Sequence, residues 1–382
     1  MAGIVKSVRQ DYPVPTSGRP YGLRCVSEPV EPEPASTGGG KVWTSPIPDP
    51  VRRYGDKNEI TSLFAGLFLA SAAVAETPVL TVYTYDSFVS DWGPGPAVES
   101  AFEAKCGCDL QMIGAGDGAA LLSRLRLEGS RTEADIVLGL DTNLTAAAAE
   151  TVLFSPISLY ANYAVPGGWS DTYFAPFDWG YFAFVHNTDL TAPTNFRGLA
   201  ASNLKIVIQD PRSSTPGLGL LLWVKAAYGD EAADIWADLS DNIVTVTAGW
   251  SEAYGMFLEG EADLVLSYTT SPAYHLIAEE DSSKTFALFD EGHYMQIEVA
   301  GKLATTDQNA LADQFLQFMV SDEFQSIIPT TNWMFPAVTP KNGLPDGFPQ
   351  ALSAEQSLIL SPEQAAADRS AALDEWQSAL SQ

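Results

Sequence analysis

The chain has little positive charge: 20 Lys and Arg residues stand against 48 Asp and Glu residues, a formal net charge of -28. A nucleic-acid binder needs basic patches to neutralise phosphates, so the balance excludes a general protein of that class. The same balance argues against docking on anionic lipid. It is compatible with a cationic ligand, which long-range attraction would favour, and equally with acidity that only keeps a secreted protein soluble.

Histidine and cysteine are also scarce, with three of each. The histidines are scattered at 186, 275 and 293, and only Cys106 and Cys108 stand close together, so no zinc spacing can be drawn. We predict neither a metal site nor a cofactor. In an oxidising compartment the cysteine pair can close a small disulfide. Two free thiols or half of a metal site are the alternatives.

No apolar run reaches the roughly 20 residues that a bilayer core requires. The run at 63–75, LFAGLFLASAAVA, has 13 residues and ends in a small-x-small triplet. Basic residues precede it at positions 52, 53 and 57. This is the anatomy of a secretory signal peptide, predicted over 58–75 with cleavage after Ala75. The mature protein is expected in the periplasm, without membrane insertion.

The segment upstream of that signal, residues 1–57, is rich in Pro, Gly and Ser and has no sustained period. We interpret it as disordered or as a mis-annotated upstream extension. The full length of 382 residues argues for about two domains.

The rest of the chain alternates strand and helix patterns, which is typical of an α/β fold. Apolar, β-branched runs predict strands at 80–85, 110–113, 135–140, 181–185, 204–209, 243–246 and 264–267. Helices are predicted at 94–104, after Gly118 up to Gly129, and at 217–228, 231–239, 251–259 and from Ser361 onward. Two such series separated by one apolar strand predict two lobes with a ligand between them. We place the first lobe at 78–180 plus 268–327 and the second at 181–267 plus 328–382.

Three loops combine small and polar residues where strands end. Residues 210–217 run from a strand into a helix with hydroxyls at the cap positions, a start that suits a carboxylate or phosphate and equally an ordinary well-capped helix. Residues 114–118 form a glycine-rich loop without dinucleotide or P-loop spacing. Residues 267–272 place hydroxyls after an apolar strand, for a turn or for a polar ligand edge.

Four aromatic residues lie near these loops, where a core does not demand them. Trp and Tyr faces bind flat or cationic rings by stacking and cation–π attraction, although core packing is the commoner role for any single aromatic. The four residues are Tyr85, Trp250, Tyr274 and Trp333.

Several long runs, in order, resemble the periplasmic thiamine-binding proteins of ABC transporters. They include TVYTYDSFVSDWGPGP (81–96), CGCDLQMIGAGDGAALLSRLRLEG (106–129), ADIVLGLDTNL (134–144), VPGGW (165–169), QDPRSSTPGLGLLLW (209–223), VTAGWSEAYGMFLEGEADLVLSYTTSPAYH (246–275) and TNWMFP (331–336). The resemblance covers nearly all of 78–380. It implies the type II periplasmic-binding fold, with two lobes joined by hinge strands and a ligand in the cleft. It also implies a non-enzymatic protein that captures thiamine or its mono- or diphosphate for a cognate permease and ATPase.

By position, the resemblance implies a set of ligand contacts: Asp117, Gly118, Ser214, Thr215, Trp250, Tyr268, Thr269, Thr270 and Ser271, with Tyr85, Tyr274 and Trp333 as aromatic walls. Ser214 and Thr215 would take the hydroxyethyl or phosphate end. Asp117 would accept from the aminopyrimidine or balance the thiazolium charge.

Two alternatives belong to other classes of protein. A thiaminase-I-like enzyme would need a cysteine nucleophile with a base beside it, and neither Cys106 nor Cys108 shows one. A ferric-ion-binding protein of the same fold would need paired tyrosines. Tyr268 and Tyr274, six positions apart with Pro272 between them, fit that poorly.

Overall fold

The computed structural model describes residues 77–381. The predicted upstream segment at 1–57 and the predicted signal peptide at 58–75 lie outside these residues. The strands are β1 Val79–Thr84, β2 Asp109–Gly114, β3 Ile136–Asp141, β4 Phe174–Asn187, β5 Ile206–Gln209, β6 Ile243–Thr247, β7 Leu264–Tyr268, β8 Lys284–Phe286, β9 His293–Lys302, β10 Phe335–Pro336 and β11 Ser357–Leu358. The helices are α1 Asp86–Val89, α2 Gly95–Cys106, α3 Gly118–Glu128, α4 Thr142–Ala149, α5 Phe196–Ala200, α6 Thr215–Tyr228, α7 Ala232–Leu239, α8 Trp250–Leu258, α9 Pro272–Ala278, α10 Asn309–Met319, α11 Asp322–Thr331 and α12 Pro362–Leu380.

The main path of the sheet runs in the order β2-β1-β3-β9-β4-β7-β5-β6. β1 pairs in parallel with β2 and β3, and β5 pairs in parallel with β6 and β7. β4 and β9 lie between these two parallel groups and are antiparallel to each other. The α/β class predicted from the sequence is therefore confirmed.

Strand β4 changes partner along its length. Residues 174–181 pair with β9, and residues 182–186 pair with β7. One continuous strand of 14 residues thus serves both parallel groups of the sheet. The lobe boundaries proposed from the sequence stay a prediction.

Local sequence signals explain two element ends and one close approach between elements. Gly107 ends α2 with a positive φ of 62°, a conformation that glycine adopts without strain. Ser361 and Gln364 form the predicted capping box at the start of α12. Gly219 lets α6 approach β4 closely, since a Cβ there would lie 1.9 Å from the ring of Phe182.

Strand β9 is the main element that the sequence pattern did not predict. All of its residues are buried, yet Gln296, Glu298 and Lys302 interrupt the apolar run that marks a buried strand. The predicted strand at 181–185 is likewise only the second part of β4, which begins at Phe174. The pattern also does not predict the helices α1, α4, α5, α9, α10 and α11 or the short strands β8, β10 and β11.

Cys106 and Cys108 are joined by a disulfide bond just after α2. The sequence left a disulfide, two free thiols or half of a metal site open, and the structure contains the disulfide. None of the helices between residues 77 and 381 combines the length and apolar character needed to cross a bilayer.

Candidate functional site

The glycine-rich loop after β2 is bonded directly to the start of α6. The Ser214 hydroxyl donates to Oδ2 of Asp117 at 2.7 Å, and the Gly118 N–H donates to Oγ1 of Thr215 at 3.0 Å. A Cβ on Gly118 would lie 2.7 Å from that Thr215 oxygen, so the approach requires glycine. Four of the predicted site residues, distant in sequence, therefore form one contact.

Asp117 carries the charge of this contact. Burial raises its pKa to about 6, although the hydrogen bonds from Ser214 and from the Trp250 N–H act in the opposite direction. The Trp250 N–H lies 3.3 Å from Asp117 Oδ2 at the beginning of α8. Asp117 thus receives donors from the first turns of two helices, where negative charge is favoured.

The Trp250 side chain is positioned by a hydrogen bond at its ring edge and by stacking on one ring face. Its indole N–H donates to the Ser267 hydroxyl at 2.8 Å, and its ring stacks on Tyr254 with centroids 5.0 Å apart. Trp92 lies 6.1 Å away at a tilted angle. Trp250 itself remains half-buried, which is unlike a core tryptophan such as Trp236 at 1% exposure.

The hydroxyl loop after β7 forms a turn that supports this tryptophan. The Ser267 and Ser271 hydroxyls are 2.7 Å apart, and the Tyr268 N–H donates to Ser271 at 3.2 Å. Thr269 and Thr270 are buried beside them. The structure therefore shows the turn role for Ser271, and the Ser267 hydroxyl connects it to the Trp250 indole.

Tyr274 and Trp333 meet edge to face with ring centroids 5.5 Å apart. Trp333 follows the end of α11 with a φ of +56°, and its N–H donates to the Ile328 carbonyl at 3.0 Å. This is the position after a helix where glycine is normally found, because a side chain there is strained. The backbone therefore gives no reason for a tryptophan at 333.

Tyr85 lies deeper, at 6% exposure, with its ring directly over Gly139. Its hydroxyl donates to Glu298 Oε2 at 2.9 Å and accepts from the Asn332 amide at 2.8 Å. The same amide donates to Asp178 Oδ2 at 2.6 Å. Since Asn332 precedes Trp333, its side chain connects the two residues predicted as aromatic walls, Tyr85 and Trp333.

Tyr268 lies among four carboxyl groups. Burial raises its pKa well above the ordinary value, and the charges of Glu298, Asp117, Asp178 and Asp141 add to that effect, in that order. The two hydrogen-bonded groups described above, one around Asp117 and one around Tyr85, therefore both lie near Tyr268. The surroundings of this hydroxyl are strongly negative.

A second network connects Trp250 to Tyr274 behind the aromatic faces. The Tyr254 hydroxyl lies 2.9 Å from His275 Nε2, His275 Nδ1 lies 2.6 Å from Glu279, and Glu279 accepts from the Tyr274 hydroxyl at 2.7 Å. Because a carboxylate only accepts, Nδ1 carries the histidine proton. Burial lowers the pKa of His275, although Glu279 raises it, so a neutral ring accepts from Tyr254.

His275, Glu279 and Asp281 also lie close enough together to resemble a metal site. Both nitrogens of His275 already have hydrogen-bond partners, Tyr254 and Glu279. Asp281 accepts from the Ser283 N–H and hydroxyl. The group is therefore explained as a hydrogen-bond network among the described residues.

Ser267 belongs to the hydroxyl loop noted in the sequence, but the other network residues were not identified as site residues: Tyr254, His275, Glu279, Asp178, Glu298 and Asn332. Two kinds of signal pointed to most of them. Asp178 and Glu298 are single acids inside otherwise apolar strands, while Asn332, Tyr254 and His275 belong to runs that carry the resemblance. Glu279 has neither signal, and its partners Tyr274 and His275 lie about one helical turn away.

Residues 91–326 match the family model described as bacterial extracellular solute-binding protein. The chain is 52% identical over 320 residues to the "Thiamine-binding periplasmic protein" of Escherichia coli (strain K12), covering 82% of this chain and 97% of the relative. It is 49% identical over 325 residues to the protein of the same name from Brucella melitensis, covering 84% and 97%. A solved structure, "Periplasmic thiamin binding protein", matches with a TM-score of 0.77 and 52% identity, covering 80% of this chain and 97% of that one. The chain therefore belongs to the bacterial extracellular solute-binding proteins, and within them to the family of the thiamine-binding periplasmic proteins.

Proposed function

We propose that this chain captures thiamine, or one of its phosphates, in the periplasm and delivers it to the permease and ATPase of an ABC importer. The observation that carries the proposal is the combination of aromatic walls and carboxyl groups around Tyr268. The names of the relatives support it, since they describe binding of the same vitamin. The protein acts as a carrier and performs no chemistry on its ligand.

The geometry suits a flat cation. Thiamine carries a permanently charged thiazolium ring and a planar aminopyrimidine ring. Trp250, Tyr274 and Trp333 offer ring faces or edges that are half-buried, as ligand-stacking aromatics are. The nearby carboxyl groups supply the negative potential that a cation requires. A net charge of -28 adds long-range attraction.

We assign the polar ends of the ligand to two neighbouring groups, Asp117 and the Ser214–Thr215 helix start, which are hydrogen-bonded to each other. Asp117 is the acceptor for the aminopyrimidine amine or the counter-charge for the thiazolium, and it already receives two donors. Ser214 and Thr215 start α6, a helix of 14 residues, where N–H groups and the helix dipole favour a phosphate or hydroxyl. The chemistry of these two groups supports that assignment.

The two alternatives fit the described residues less well. An enzyme with a cysteine nucleophile needs a thiolate, and Cys106 and Cys108 are joined to each other. A ferric site needs two exposed tyrosine hydroxyls. Tyr274 donates its hydroxyl to Glu279, and the pKa of Tyr268 is raised by burial and by surrounding acids, which opposes the tyrosinate form.

Native mass spectrometry of the protein as purified from cells tests the proposal directly. We expect a retained ligand with the mass of thiamine or of a thiamine phosphate. Calorimetric titration of the stripped protein with the three forms would then rank them. Saturable iron binding without thiamine binding, or cleavage of thiamine in the presence of a nucleophilic amine, would contradict the proposal.

A further inference from the structure

Two carboxyl groups lie side by side behind Tyr85. Asp178 on β4 and Glu298 on β9 occupy directly opposed positions of antiparallel strands. Opposed residues point to the same face of a sheet, with Cβ atoms about 4.5–5.5 Å apart. Asp178 is 0% exposed and Glu298 is 5% exposed. Two such carboxylates cannot both be ionised unless something neutralises one of them.

No protein cation does so within residues 77–381. None of the ion pairs there includes either carboxyl. Asp178 Oδ2 accepts from Asn332, and Glu298 Oε2 accepts from Tyr85. The other oxygen of Asp178 is buried without a hydrogen-bond partner. A proton held between the two carboxyls would complete its bonding, because a protonated carboxyl donates.

The groups that face this pair offer no positive charge either. They are Tyr85 after β1, Asp141 at the end of β3, Tyr268 at the end of β7, Asn332 after α11 and Pro336 of β10. Of these groups, Asp141 raises the pKa of Glu298, whereas the hydrogen bond from Tyr85 lowers it. Burial raises the pKa of Asp178 to about 7 and that of Glu298 well above its ordinary value.

We propose that Asp178 and Glu298 share one proton in the free protein, and that a cationic ring bound against Tyr85 expels this proton to the solvent. The inference rests on the proposed function only in requiring a cationic ligand. In this step an O–H bond of the pair breaks and its electrons stay on the carboxylate. The proton passes to the buffer, and the charge of the ligand balances the new negative charge. Capture is thereby linked to pH, because the affinity increases with rising pH over the range in which binding releases protons.

Calorimetric titration with unphosphorylated thiamine at pH 7, in buffers of different ionisation enthalpy, measures the protons released. Thiamine is chosen because a phosphate would itself exchange protons at this pH. We expect the wild type to release a fraction of one proton per thiamine. Glu298→Gln and Asp178→Asn should each bind thiamine with this release abolished. Both amides keep an oxygen that accepts from Tyr85 or Asn332, and neither can hold the shared proton.

Asp141→Asn is the comparison variant, because Asp141 is also buried and burial raises its pKa to about 7. Asp141 lies opposite Glu298 and raises the pKa of that carboxyl, so release should persist in Asp141→Asn but in a changed amount. No release from the wild type, or release that persists in Glu298→Gln and Asp178→Asn and disappears in Asp141→Asn or Asp117→Asn, would overturn the inference. Absence of thiamine binding by the wild type would instead contradict the proposed function.

Infrared difference spectroscopy keeps the test independent of the variants' folding. In the wild type, adding thiamine should remove the carbonyl band of a protonated carboxylic acid and increase the carboxylate bands. A spectrum without loss of a protonated carboxyl band would refute the shared proton as the source.

Discussion

Ser214 and Trp250 donate hydrogen bonds to the same oxygen of one carboxylate, Oδ2 of Asp117. The two donors start different helices, α6 and α8, and the acceptor lies at the entrance of a third, α3. Three helix N-termini therefore converge on one negative charge, an arrangement that the helix dipoles favour. Replacing the Asp117 carboxylate by a neutral group should therefore affect the N-termini of α3, α6 and α8 together.

Asp117→Asn should weaken thiamine binding at pH 7 about tenfold or more, because one charge-assisted contact of about 1.5–3 kcal/mol is lost. In the wild type, the affinity should also fall as the pH is lowered from 7 to 5, since the pKa of Asp117 is raised to about 6 and a cation binds the ionised form. The variant should show a smaller fall over this range. Calorimetric titration across that range measures both. Equal pH dependence of the two proteins would contradict the role of Asp117.

The stability of the ligand-free protein should respond to Asp117 with the opposite sign. The folded carboxyl titrates near pH 6 and an unfolded one near about 3.9, so the folded state binds the proton more tightly. The contribution of Asp117 to the free energy of unfolding should therefore increase as the pH falls from about 6 to 4. Urea unfolding of the wild type and of Asp117→Asn, compared at several pH values, isolates this contribution.

Trp250→Ala should reduce thiamine affinity about ten- to a hundredfold, because it removes a stacking and cation–π contact of roughly 1–3 kcal/mol. The ligand-free melting temperature should change little, since the ring is half-buried. Trp236→Phe is the control: this fully buried ring lies in the core, so its variant should melt lower and bind normally. Unchanged affinity of Trp250→Ala would remove Trp250 from the site.

Tyr254→Phe tests the network behind the walls. The ring remains stacked on Trp250, but His275 Nε2 loses its donor, and Glu279 and Tyr274 lose their fixed positions. We expect a stability loss of about 1–3 kcal/mol and a several-fold loss of thiamine affinity. Tyr294→Phe instead removes a buried hydroxyl that is bonded to Asn143. It should lower the stability and leave the thiamine affinity unchanged. Equal affinity losses in both variants would argue against a positioning role.

Gly139→Ala tests the support beneath Tyr85. The added Cβ would lie 2.3 Å from the Tyr85 ring, and φ at this residue is +108°. Gly260→Ala is the matched control, because φ there is +80° with no atom within 4 Å of the added Cβ. Both should lose about 1–3 kcal/mol of stability to backbone strain. Only Gly139→Ala should also weaken thiamine binding, which fluorescence titration would measure.

The strand and helix pattern of the chain could be predicted wherever the hydrophobic period was regular. β1, β2, β3, α6, α7, α8 and the capped start of α12 are examples, and their bounds differ from the predictions by one or two residues in most cases. β9 could not be predicted, because Gln296 and Glu298 are buried polar residues whose partners lie on distant strands. Periodicity detects a face exposed to solvent, and β9 has none.

The candidate site divides in the same way. Loops and helix starts pointed to Asp117 and Ser214, because hydroxyls and glycines at strand ends have a local meaning. Asp178, His275 and Asn332 carry no such local signal. Asp178 and Asn332 are hydrogen-bonded to each other although they are more than a hundred residues apart. His275 bonds to Glu279 one helical turn away and to Tyr254 on another helix, and only the fold determines which face of its helix it occupies.

Trp333 combines a backbone conformation that favours glycine with a large ring that packs against Tyr274. A glycine would hold the same turn after α11 without backbone strain, and the tryptophan persists there at a cost of about 1–2 kcal/mol. Exchange to glycine would relieve that strain but would also give up the packing of a half-buried ring against Tyr274. The sign of the resulting change in melting temperature would therefore show which of the two contributions is larger at this turn.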